Sequence, residues 1–172
     1  IACFEKTVPV SQDMLLAYKR KGRTCIDRGD NRAAIRYLKK GLAIGFKLRL
    51  SGNHPDMWQS HHLLGIAMGV EGGDQAQALK HTLFAIEHAN ISDESGRCPT
   101  TDGTLLTQFA AMHSTAGKIY MALDQPTEAM ECYRLAILDE GKCGCDDKAC
   151  ESCSLIVEAM EGQAELESLK GN

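Results

Sequence analysis

Three stretches of the chain carry small and bulky residues at one shared register. YKRKGRTCIDRGDNRAAIRYLKKGL from Tyr18 aligns with HHLLGIAMGVEGGDQAQALKHTLFAI from His61 and HSTAGKIYMALDQPTEAMECYRLAI from His113. Each has an early glycine (Gly22, Gly65, Gly117), a bulkier residue three positions on (Cys25, Met68, Tyr120), a turn, and then an alanine (Ala34, Ala78, Ala129). A glycine among apolar neighbours costs about 1 kcal/mol in a helix interior. Three at one register therefore predict that a second helix presses against each. RGDNRAA, EGGDQAQA and LDQPTEA supply turn residues and N-terminal caps for those second helices. Ala34, Ile35, Leu38 and Leu42 form one apolar stripe, and Ala129, Met130, Tyr133, Ala136 and Ile137 form another.

The pattern predicts three stacked helical hairpins at about residues 12–50, 55–90 and 102–140. SLIVEAMEGQAELESL then predicts an amphipathic helix over about 151–169, whose Leu155, Ile156, Met160 and Ala164 would cap the open end of the stack. Between the first two hairpins, Pro55 disfavours helix at His54, and Asp56 is expected to cap the helix that follows. The second join, ISDESGRCPTTDG, is polar and predicts a mobile surface loop.

Composition agrees with this reading. A chain of 172 residues suits a single domain, 1–172. Hydrophobic content of 44% with 5% aromatics and four prolines favours helices over a sheet sandwich. The expected class is all-α, an α-solenoid. No apolar run approaches the roughly 20 residues of a membrane span, so no membrane partner is expected. The chain opens IACFEK without a starting methionine and without a signal-peptide core, and so reads as an excised or processed segment.

At these residues the chain resembles the tetratricopeptide repeat family, whose signature alternates small residues with aromatics. Gly22, Ala34, Leu38 and Gly41 match in the first unit, and Gly117, Tyr120, Ala129, Tyr133 and Ala136 match in the third. In the middle unit Thr82 replaces the second aromatic. The resemblance covers about residues 12 to 141. The alanines are spaced more widely than the 34-residue family unit. The join LRLSGNHPDMWQSHHLLG is similar to the G-x-HP linker of the long units in kinesin light chains. It is also similar to the helical C-terminal module of SET and MYND lysine methyltransferases.

The resemblance implies a scaffold that binds a partner peptide or helix in a concave groove lined by the first helix of each pair, and no catalysis. Carried over, the binding residues are Lys19, Arg20 and Arg23 from the first unit, Gln59, His62 and Ile66 from the second, and Ser114 and Lys118 from the third. Leu16, Ile26, Leu63, Ala111 and Thr115 would stand beside them. The carboxylate clamp of some family members is incomplete here. No asparagine stands at the matching places, and Leu63 and Thr115 replace polar or basic grips.

Charge sharpens the partner class. Residues 19 to 49 hold eleven Lys or Arg against two acidic residues, whereas residues 139 to 167 hold nine Asp or Glu against two Lys. A basic groove end would steer an acidic protein segment, while the bland alternative is a solvated helix face. A pI near 5.9 argues against nucleic acid. RGD at 28–30 is explained by the turn. His61 and His113 fall where the family has large packing residues and are expected to be satisfied within the core. No Ser/His/Asp set, H-E-x-x-H, Walker loop or dinucleotide fingerprint appears.

KCGCDDKACESC at 142–153 leaves three readings open. Cys143, Cys145, Cys150 and Cys153 could enclose a structural zinc ion, remain free thiols, or form disulfides. The first three resemble the post-SET zinc pattern C-x-C-x4-C, with no SET domain before them. Cys3, Cys25, Cys98 and Cys132 stand apart, which favours a reducing, intracellular (cytoplasmic) setting. Two other functions fit the residues: a regulatory helical module of a larger enzyme such as a SET/MYND-type methyltransferase, and a zinc- or redox-responsive protein working through the four cysteines. Oligomeric state and partner identity are not encoded in any motif.

Overall fold

The computed structural model describes residues 10–89 and 104–140, with Glu161, Ala164 and Ser168 beyond them, each helical. The join at 91–103, the cysteine-rich turn with Cys143, Cys145, Cys150 and Cys153, and the rest of the helix expected at 151–169 lie outside the described residues. Six helices are described: α1 Gln12–Asp27, α2 Asn31–Lys47, α3 Pro55–Val70, α4 Gln75–Ala89, α5 Thr104–Ala122 and α6 Pro126–Glu140. No strand occurs among the described residues. The fold is all-α, and consecutive helices pair into three antiparallel hairpins.

Each hairpin turns on a residue in the left-handed region: Gly29 (φ 77°), Gly72 (φ 67°) and Asp124 (φ 57°). Glycine carries no steric penalty there, and aspartate tolerates the conformation better than most residues. The second helix then starts on a cap. Asp30 accepts from Ala33 N at 3.0 Å, and Asp74 accepts from Gln77 N at 3.0 Å. These two bonds satisfy backbone donors that a helix start leaves open.

The early glycines are contact points, as their register predicts. A Cβ on Gly22 would stand 2.5 Å from Leu38 Cγ, one on Gly65 would press Thr82, and one on Gly117 would stand 2.6 Å from the Tyr133 ring. Leu38, Thr82 and Tyr133 hold equivalent places in α2, α4 and α6. Thr82, the departure from the aromatic pattern, turns its hydroxyl back to Ala78 O at 3.1 Å and lets α3 approach α4 closely. Ala34, Ala78 and Ala129 are fully buried.

Packing between hairpins sets the curvature. α1 touches α3 and α3 touches α5, whereas no contact joins α2 to α4 or α4 to α6 among the described residues. The first helices crowd together and the second helices fan apart, so the stack bends around α1, α3 and α5. One apolar core spans the first two hairpins, centred on Leu15, Leu38, Leu42, Met57 and Leu64. A second, formed by Trp58, Ala85, Phe109 and Met112, joins the second hairpin to the third.

Two expectations are corrected. His54, not Asp56, caps α3: its Nδ1 accepts from Asp56 N at 3.2 Å, with Pro55 in the first turn. The Asp56 carboxylate is drawn instead to Lys19 on α1. Leu63, placed beside the groove by family resemblance, is buried in the first core.

Candidate functional site

The concave side carries two features, a polar strut and an apolar cleft. Lys19 Nζ on α1 donates to Asp56 Oδ1 and to Gln59 Oε1 on α3, both at 2.6 Å. Gln59 Nε2 in turn donates to Gln108 Oε1 on α5 at 3.4 Å. The chain of bonds runs across all three inner helices. Lys19 and Asp56 are each only 15% exposed at the side chain, so their charges meet partly out of water. Burial, the largest single influence, would raise the Asp56 carboxyl, but the hydrogen bond and charge of Lys19, with Gln12 and His54 adding to them, together hold the group below the usual carboxylate range.

Further along the same helices the wall opens into a cleft of about 340 Å³ between α3 and α5. His62, Ile66 and Val70 line one side, and Ala111, Thr115 and Lys118 the other. These positions follow helical spacing, so one face of each helix supplies its wall. The lining is mainly apolar, and Val70 is 70% exposed at its rim. Ser114 also lines the cleft, although it is 2% exposed and its Oγ has no hydrogen-bond partner among the described residues.

His62 and Thr115 face each other across the cleft at 3.4 Å. Thr115 Oγ1 already donates to Ala111 O at 2.8 Å, so it accepts from His62 Nε2. Burial, and after it the charge of Arg23, pushes His62 down to about 4, so the imidazole is neutral near pH 7. Arg23 thus acts on the α1 side of the cleft. Its exposed ion pair with Asp27 at 3.3 Å is of the surface kind that contributes little.

Of the residues that resemblance assigned to binding, His62, Ile66, Ser114 and Lys118 come together in the cleft. Arg23 acts on His62 from α1. Lys19 and Gln59 are engaged in the strut. Arg20 is exposed and is not among the lining residues. Gly69, Val70, Ile119 and Ala122 are lining residues that sequence reasoning missed. Val70 and Ala122 lie one turn beyond Ile66 and Lys118, so extending the register by four would have found them, while Gly69 is three on from Ile66 and Ile119 four on from Thr115.

Among the described residues no group of three or more His, Cys, Asp or Glu could hold a metal ion, and no helix is long and apolar enough to cross a membrane. Cys25 and Cys132 are free thiols. Burial, with Glu131 and Glu128 adding to it, pushes Cys132 up to about 11, which leaves it a poor nucleophile at neutral pH.

The tetratricopeptide repeat profile matches residues 110–138. No curated protein sequence matches the chain significantly. Solved structures match its fold at low identity. The NMR structure of the first TPR domain of human RPAP3 is 17% identical with a TM-score of 0.57, covering 92% of this chain and 98% of that one. A crystal structure of Podosopora anserina putative kinesin light chain TPR-like repeats is 17% identical with a TM-score of 0.66, covering 97% of this chain and 74% of that one. Residues 110–138 thus carry the tetratricopeptide sequence pattern, and the chain shares the fold of solved tetratricopeptide-type helical arrays.

Proposed function

We propose that the protein is a non-catalytic interaction scaffold whose concave face takes an acidic segment of a partner protein across the α3–α5 cleft. The observation that carries this reading is an apolar slot of about 340 Å³ on the inner layer of a curved repeat array, with Lys118 on its wall and Arg23 toward α1. An apolar side chain of the partner enters the slot and loses its contact with water. Carboxylates beside it meet Arg23 and Lys118, whose fields also speed encounter. Lys19 and Gln59 serve the site indirectly, by fixing the spacing of the inner helices.

The charge part is tested by replacing Arg23→Glu and Lys118→Glu together and measuring capture of partner proteins by quantitative mass spectrometry. Capture at low salt is expected to fall about tenfold. The difference should shrink as salt rises, because the screening length drops from about 10 Å at 0.1 M to about 3 Å at 1 M. Helical content by circular dichroism should not change. Equal capture by both proteins at every salt concentration contradicts an acidic partner.

A further inference from the structure

The imidazoles packed between α3 and α4 take no part in the cleft. His61, on α3, is 6% exposed, and its Nδ1 lies 2.8 Å from Nδ1 of His81 on α4. The ring centroids are 5.0 Å apart. Both nitrogens therefore lie between the rings, head-on, which is the geometry of one shared hydrogen. A metal clasp would need the two lone pairs to converge on a third point, and no third ligand converges on the pair among the described residues.

The tautomers follow from the surroundings. His61 Nε2 is buried with no hydrogen-bond partner among the described residues. An orphaned buried N–H is rarer in proteins than an under-used acceptor. That places the hydrogen on His61 Nδ1, donating to the lone pair of His81 Nδ1, with His61 Nε2 left bare. One more proton has no good place on this pair. On His61 Nε2 it makes a buried N–H with no acceptor, and on His81 Nδ1 it sets two N–H groups nose to nose. Among the described residues, the charged or titratable groups acting on the pair are His88 from α4 and Lys39 from α2, with no carboxylate among them.

We propose that the His61–His81 pair is an acid-labile latch, holding α3 against α4 while it shares one hydrogen and releasing them when it takes up another proton. Burial, ahead of His81 and His88, pushes His61 down to about 4, and burial ahead of Lys39 lowers His81. The unfolded chain binds these protons near pH 6.5, so the latch contributes fully above that pH and its contribution is lost as pH falls toward 4. Because α3 also forms one wall of the cleft, acid would loosen the groove at its middle unit; that consequence rests on the scaffold reading, but the latch does not.

The latch is tested on the protein alone, without a partner. In a pH titration followed by imidazole 15N NMR, His61 is expected to remain the neutral Nδ1–H tautomer down to about pH 4. Titration of His61 near 6.5, or an Nε2–H tautomer, overturns the proposal. In denaturant unfolding, the folded-to-unfolded ratio of the wild type should fall between pH 7.5 and 4.5, with on the order of a hundredfold coming from His61, at tenfold per pKa unit. The double variant His61→Phe/His81→Leu should lose that part of the fall. An undiminished fall in a folded variant overturns the latch, and the NMR titration decides the matter if the variant does not fold.

Discussion

Replacing Trp58 by alanine is expected to lower stability by about 3–5 kcal/mol, the range for deleting a buried large aromatic. Trp58 is 5% exposed and begins the inner wall of the second hairpin. Its ring packs with Ala85 of α4 and with Phe109 and Met112 of α5, so it joins the second hairpin to the third. In a repeat array, stability is a sum of unit terms and interface terms. Removing this side chain weakens an interface rather than one unit. The variant should therefore show a lower midpoint and a broader transition, as the third hairpin begins to unfold apart from the first two. Circular dichroism in urea reads this, since Trp58 is the sole tryptophan and fluorescence is lost with it. The control Val70→Ser, at a residue 70% exposed, should change stability by about 0.5 kcal/mol or less. A Trp58→Ala loss under about 1 kcal/mol would contradict the packing between the second and third hairpins.

The other large effect concerns the notch at Gly22. A methyl group there would stand 2.5 Å from Leu38 Cγ and 2.6 Å from Cδ2. Cγ is the branch point of the side chain, so Leu38 cannot move aside by turning its far end. Gly22→Ala should gain about 1 kcal/mol from helix propensity and lose more to overpacking, which typically costs about 1–3 kcal/mol. Leu38→Ala empties a fully buried site and should lose about 2–5 kcal/mol. Combined, the two changes relieve one another, because the new methyl group occupies space that the leucine has left. The double variant is expected to be more stable than the sum of the single losses by about 1–3 kcal/mol. Additivity within about 0.5 kcal/mol would show that the two helices do not meet at this point.

The hairpins were legible because their contacts are close in sequence and repeat. Gly22 meets Leu38, Gly65 meets Thr82 and Gly117 meets Tyr133 at nearly equal separations, and a shared register exposes such pairs. The strut was not legible. Lys19 is plainly basic and on the inner face, but its partners Asp56 and Gln59 lie 37 and 40 residues away. Nothing local marks Asp56 as an ion-pair partner rather than a cap. The His61–His81 bond was hidden for the same reason, since His61 alone reads as a packing histidine and His81 lies 20 residues away. Within the cleft, His62 and Ile66 were found from the family's groove register, while Val70 and Ala122 were missed where that list stopped.

The most direct measurement compares proteins captured by the wild type with those captured by Ala111→Trp. Ala111 lines the α3–α5 cleft, so an indole at that position fills the slot from within. With both baits shown by circular dichroism to be equally helical, partners held by the wild type should be lost from Ala111→Trp. Recovery of the same proteins in the same amounts on both baits would contradict the cleft as the docking site.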